Sequence, residues 1–133
     1  MARRAPAFPK SYVNRPLRKA LEAFRALPNR TTLDALLKAM RTGALVVDIT
    51  GTTDAADPRV RTILSTAGEL VLPLFTSVAE LRAAVPDDQR ATAQAMILPA
   101  ADALALIETA DFVAVQFDVG SIGQVVKRDY VLA

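Results

Sequence analysis

The chain has no cysteine and no histidine. Disulfide bonds are therefore excluded, and so are thiolate and imidazole metal ligands of the zinc type. Mechanisms that need an imidazole base or a thiolate nucleophile are excluded with them. Carboxylate, lysine, tyrosine, serine and threonine chemistry is what remains. No apolar run reaches the ~18 residues that span a bilayer, because Asp, Arg or Pro interrupts every long apolar stretch. The first ten residues carry charge with no apolar stretch behind them, so no signal peptide is expected. Lack of cysteine fits a cytoplasmic protein, and the excess of Arg over Lys, twelve to four, fits a bacterial genome rich in G and C.

What is present is enough for one core. The 133 residues match the commonest size of a single domain, and the apolar fraction of 52% with a mean hydropathy of +0.26 argues against disorder. The net charge of +2 hides an asymmetry. Residues 1–30 hold eight basic side chains (Arg3, Arg4, Lys10, Arg15, Arg18, Lys19, Arg25 and Arg30) against Glu22 alone, while residues 31–133 hold eight basic and thirteen acidic ones. A basic segment of this kind can bind nucleic acid or an anionic surface by counterion release. It lacks the interleaved aromatics that stack on bases, so a solvated arm and helix face is the preferred reading.

The pattern along the chain predicts an α+β domain, with a small mixed sheet of about four to five strands packed with amphipathic helices. Residues 1–13 are Pro-rich and basic and read as a flexible arm; residues 14–133 read as one domain. Asn14 is placed to cap a helix whose stripe is Leu17, Leu21, Phe24 and Leu27, ended by Pro28-Asn29. Thr31 and Asp34 suggest the start of a second helix that runs to Gly43. Ala44–Thr50 reads as a buried strand, and residues 60–66 and 70–75 as two strands around Ala67-Gly68-Glu69. Pro73 inside the latter predicts an edge strand or a bulge. Ser77 with Glu80 marks a third helix start by the S-x-x-E pattern. Residues 89–98 fit a helix over Arg90–Ala95 or a short strand over Met96–Leu98, Ala101–Ala110 fits a helix, and Phe112–Val119 fits a strand with Gln116 and Asp118 on its outer face. The last residues, Val125–Ala133, read as extended or as a short closing element.

Leu72-Pro-Leu-Phe-Thr-Ser77 followed by a capped helix, after an Asn-led helix and a short strand, resembles the SseB N-terminal domain family. The family's later Asn-Pro-Gly-Ser turn corresponds to Asp118-Val-Gly-Ser121, which departs from it at Asp118 and Val119. The resemblance covers about residues 14–131 and implies an α+β fold, no known catalytic activity and a role as an adaptor or interaction domain. A place accessory to a secretion or toxin–immunity system is a separate expectation of this reading.

Phe75, Thr76 and Ser77, with Asp118, Gly120 and Ser121 beside them, would form a partner-binding ledge if the two segments are neighbours; the plainer reading puts Phe75 in the core and makes Thr76 and Ser77 helix caps. Gly120-Ser-Ile-Gly123 has the spacing of a GxxG nucleic-acid clamp, but its central residues are not basic and a tight turn is preferred. Asp48, Glu69, Asp118 and Asp129 show no recognised acid–base or Mg²⁺ spacing, and Asp54 and Asp57 lack the alternation of a calcium loop. Lys127-Arg128-Asp129-Tyr130 reads as an exposed end or a small contact. The resulting expectation is a non-enzymatic protein-binding domain with no cofactor and no metal. Its partner would be another protein, with self-association through an edge strand left open. The alternative is binding of nucleic acid or an anionic surface through residues 3–30.

Overall fold

The computed structural model describes residues 8–133. Among them the chain forms a mixed six-stranded sheet with helices on both faces, the expected α+β class. Helices α1 (Arg15–Ala26) and α2 (Arg30–Ala39) form a hairpin and lead into β1 (Ala44–Asp48). A hairpin of β2 (Ile63–Leu64) and β3 (Leu70–Phe75) follows, then α3 (Val78–Ala84), a 3-10 helix over Asp87–Thr92 and β4 (Ala95–Pro99). Next come α4 (Ala100–Ala105), a 3-10 helix over Leu106–Thr109, β5 (Ala114–Phe117), β6 (Gln124–Lys127) and α5 (Arg128–Leu132). No helix among the described residues is long and apolar enough to cross a membrane.

The strand order is β4-β1-β3-β5-β6, with β2 added to β3. Only β3 and β5 run parallel, as expected where a long crossover separates two neighbours. Leu45, Val47, Leu72, Leu74, Val115 and Phe117 point to one face, under Leu17 and Leu21 of α1, Leu36 of α2 and Ala103 of α4. Val46 and Phe75 point to the other, under Leu81 and Val85 beside α3. Because both faces are covered, β1 is buried at all five positions and shows no polar alternation.

The helix caps follow the sequence in part. The side chain of Asn14 accepts from Leu17 N, and that of Ser77 accepts from Glu80 N at 3.2 Å. Helix α2 begins earlier than Thr31 suggested: Asn29 and Thr32 cap each other's amides reciprocally. Leu27, expected in the buried stripe, is 64% exposed, since α1 ends one residue before it. Residues 89–98 resolve as a 3-10 turn followed by a strand. Only Ile63 and Leu64 of the expected strand over 60–66 pair, because the preceding backbone turns to Asp48, whose carbonyl accepts from Arg61 N at 2.8 Å.

Pro73 calls for a correction, because β3 is an inner strand. The amides of Val113 and Asp118 donate to Leu70 O and Leu74 O, so even-numbered residues of β3 bond towards β5. The backbone of Pro73 therefore turns to the opposite side. There β2 pairs with residues 70–71 and β1 with residues 74–75, leaving residue 73 between them with no partner. The missing N–H falls at that gap, so proline is tolerated inside the sheet. The order ends at β4 and β6, and the short β2 also has one side without a strand partner among the described residues.

Candidate functional site

The end of β3 and the turn after β5 do meet, but as a closed polar knot. The parallel register sets Leu74 beside Phe117, and the next residues, Phe75-Thr76-Ser77 and Asp118, lie together. Asp118 is fully buried and adopts a positive φ of 50°, a conformation that Asp tolerates better than most residues. Its Oδ1 accepts from Thr76 N at 2.8 Å, and its Oδ2 accepts from the Thr76 hydroxyl and from Arg18 Nη1, both at 2.8 Å. Its backbone is used as well: the amide donates to Leu74 O, and the carbonyl accepts from Ser121 N and Gly123 N.

Arg18 links this knot to two helices. Its Nη1 also donates to Glu80 Oε1 at 2.9 Å and to Ser121 Oγ at 3.1 Å, while Ser121 Oγ donates to Glu80 Oε2 at 2.8 Å. One nitrogen with two hydrogens thus serves three oxygens, so at least one bond is shared. Burial acts to lower the Arg18 pKa, but the hydrogen bond to Asp118 and the charges of Glu80, Asp118 and Glu22 outweigh it, and the net shift is upward. The guanidinium stays charged throughout the working pH range. Asn14 completes the corner: its amide donates to Thr76 O at 2.8 Å and its side chain donates to Thr42 O and Ala44 O.

The residues expected to form a ledge are brought together, with their functional groups turned inward. Phe75 is 3% exposed and packs under α3, Thr76 is 1% exposed, and the Ser77 hydroxyl caps α3. Gly120 and Ser121 are exposed, although Ser121 Oγ is engaged. A Cβ on Gly120 would lie 3.1 Å from the Ala84 backbone, so glycine is favoured here by close approach to α3, while positive φ belongs to Asp118 and Gly123. Asp118, expected on an outer strand face, leaves β5 and is buried because the turn folds back on Thr76. Glu80 does not reach back to cap its own helix, since Arg18 and Ser121 take its carboxylate. Among the described residues no three acidic side chains converge as metal ligands. The buried donors and acceptors of the knot satisfy one another.

Other expectations shift too. Arg18 belongs to the knot and is not available to a basic binding face, whereas Arg15, Lys19, Arg25 and Arg30 are exposed. Arg3 and Arg4 lie outside the described residues. Residues 8–13, assigned to the arm, touch the domain: the Tyr12 hydroxyl accepts from Ala44 N at 3.0 Å and Val13 bridges to Ser77. In the Lys127–Tyr130 segment, Arg128 Nη1 donates to Ile107 O and Phe112 O and so locks the closing helix in place.

A feature absent from the sequence reading lies at the β4 edge. A groove of about 540 Å³ runs beside it, with apolar walls from Phe8, Ile49, Val78 and Ile97 and two cations, Lys10 and Arg82. Alternate residues of β4 bond to β1, as Ala100 N to Gly43 O and Ile49 N to Gln94 O define the phase. The backbone groups of Ala95 and Ile97 therefore point outward, and no partner is recorded for them among the described residues. Pro99 shares their phase, so its missing N–H costs no ladder bond.

Neither a curated protein nor a solved structure matches the chain. A family model does: the SseB protein N-terminal domain matches residues 17–133, from the first buried leucine of α1 through the closing helix. By that match, with the LPLFTS strand and the turn that locks onto it both inside the span, the chain belongs to the family of the SseB protein N-terminal domain.

Proposed function

We propose that this domain binds another protein and performs no chemistry of its own. The observation that carries the reading is the outer edge of β4, which has no strand partner among the described residues and lies beside a groove of about 540 Å³. Unpaired strand edges template the binding of other chains unless they are blunted, and this one is blunted only at Pro99. Thr76, Ser77, Asp118 and Ser121 support the reading from the other side. Their hydroxyls and carboxylates are committed to Arg18, to Thr76 and to helix capping, which leaves no activated nucleophile or base among them. Within this reading the domain serves as an accessory part of a larger assembly, of which a secretion or toxin–immunity system is the proposed example.

The test is site-specific photo-crosslinking in native lysate, with the crosslinker at Ala95 and, as control, at exposed Glu108 on the far side of α4 in sequence. A discrete crosslinked species from position 95, at one partner per chain and identified by mass spectrometry, is expected. If position 95 and a panel of other surface positions all yield nothing above the uncrosslinked control, the binding-domain reading falls.

A further inference from the structure

We propose that the β4 edge takes an extended segment of a partner protein as an added strand, and that this segment carries an acidic side chain among alternating apolar ones. The inference rests on the protein-binding reading above and specifies its mode and partner chemistry.

The backbone argument comes first. Ala95 and Ile97 each present one N–H and one C=O outward, which an incoming strand can pair as β1 pairs the inner side. Strand addition of this kind takes affinity from main-chain bonds and specificity from pockets for alternate side chains. The groove supplies such pockets on the side where Ile97 packs with Val46 and Val78. The site is held firmly. Gln94, just before β4, donates from its amide to Thr50 Oγ1 and from Nε2 to Thr52 O, and its Oε1 accepts from Gly51 N. The edge is thus anchored by loop 50–52 before any partner arrives, which lowers the ordering cost of binding.

Charge selects the partner. Lys10 and Arg82 line the groove, no carboxylate lines it, and neither cation forms an ion pair among the described residues. Two cations flanking an apolar channel disfavour a basic strand and favour one with Asp or Glu at a position that emerges towards them. Glu80, the acid nearest in sequence to Arg82, is already held by Arg18 and Ser121 and is not available to neutralise it.

The experiment pans a displayed library of random twelve-residue peptides against the full chain and measures the enriched peptides by fluorescence anisotropy. Enrichment of sequences that alternate apolar residues and carry at least one acid is expected. Arg82→Glu and Lys10→Glu should each weaken such a peptide about tenfold. Ala95→Pro removes an outward amide and leaves the inner ladder intact, and it should weaken binding by at least as much. Should Ala95→Pro fail to fold by circular dichroism, peptides N-methylated at alternate residues make the same test from the ligand side: one methylation phase should abolish binding and the other should not. Enriched peptides that are insensitive to both charge variants and to both methylation phases overturn the proposal. So does a library yielding only basic peptides. Failure to enrich any peptide while position 95 still crosslinks a partner overturns strand addition and leaves the binding-domain reading standing. Failure of both removes both.

Discussion

Replacing Asp118 tests the reasoning about the polar knot most directly, because one buried side chain there combines three roles. Asp118→Ala removes the charged bond to Arg18, worth about 1.5 kcal/mol at the low end suited to a partly exposed guanidinium. It leaves the buried Thr76 N–H without its acceptor, which costs about 1–3 kcal/mol. It also sets a Cβ residue without a local polar side chain at a φ of 50°, adding about 1 kcal/mol. The buried Thr76 hydroxyl loses its acceptor as well, so these three losses give a lower bound. The total is about 4 kcal/mol, a large share of the roughly 5–15 kcal/mol that stabilises an ordinary domain. Asp118→Asn keeps Oδ1 for Thr76 N and tolerates the positive φ, so it loses chiefly the Arg18 bond and about 2 kcal/mol. Asp118→Gly loses every side-chain bond but relieves the backbone, and should fall about 1 kcal/mol short of the alanine loss. The expected order of stability is wild type, Asn, Gly, Ala. Urea denaturation followed by circular dichroism reads it, since a slope of about 1–3 kcal/mol per molar converts 4 kcal/mol into a midpoint shift of more than one molar. An alanine variant more stable than the glycine variant would refute the backbone part of the reasoning. A loss under about 0.5 kcal/mol in all three would refute the knot as a stabilising element.

Ser77→Ala should destabilise by about 1 kcal/mol through loss of the α3 cap, and an unchanged denaturation midpoint would place the helix start elsewhere. Gly120→Ala should cost about 1–3 kcal/mol, because its Cβ meets the Ala84 backbone at 3.1 Å and backbone yields less readily than a side chain; wild-type thermal stability would contradict that packing. EDTA in metal-free buffer should leave the melting temperature unchanged, and a drop of several degrees would reveal a hard-cation site.

Local patterns determined a good deal. The spacing of Leu17 and Leu21, the caps at Asn14 and Ser77, the β-branched run of β1 and the turn at Ala67–Glu69 all act within a few residues, where periodicity and capping chemistry are decisive. The LPLFTS segment and its capped helix were enough to indicate the family. Tertiary structure decided the rest, because the relevant partners are far apart in the chain. Arg18 and Asp118 are separated by 100 positions, and no local rule distinguishes that arginine from its basic neighbours. Pro73 was expected at an edge or a bulge because a missing amide is costly in a ladder, yet two short strands share one side of β3 and leave a gap where the loss is free. Whether Ala95 and Ile97 face a neighbour or open space depends on which strand ends the sheet. That order follows from how α1 and α2, α3 and α4 together cover both faces, and no single segment of the sequence encodes it.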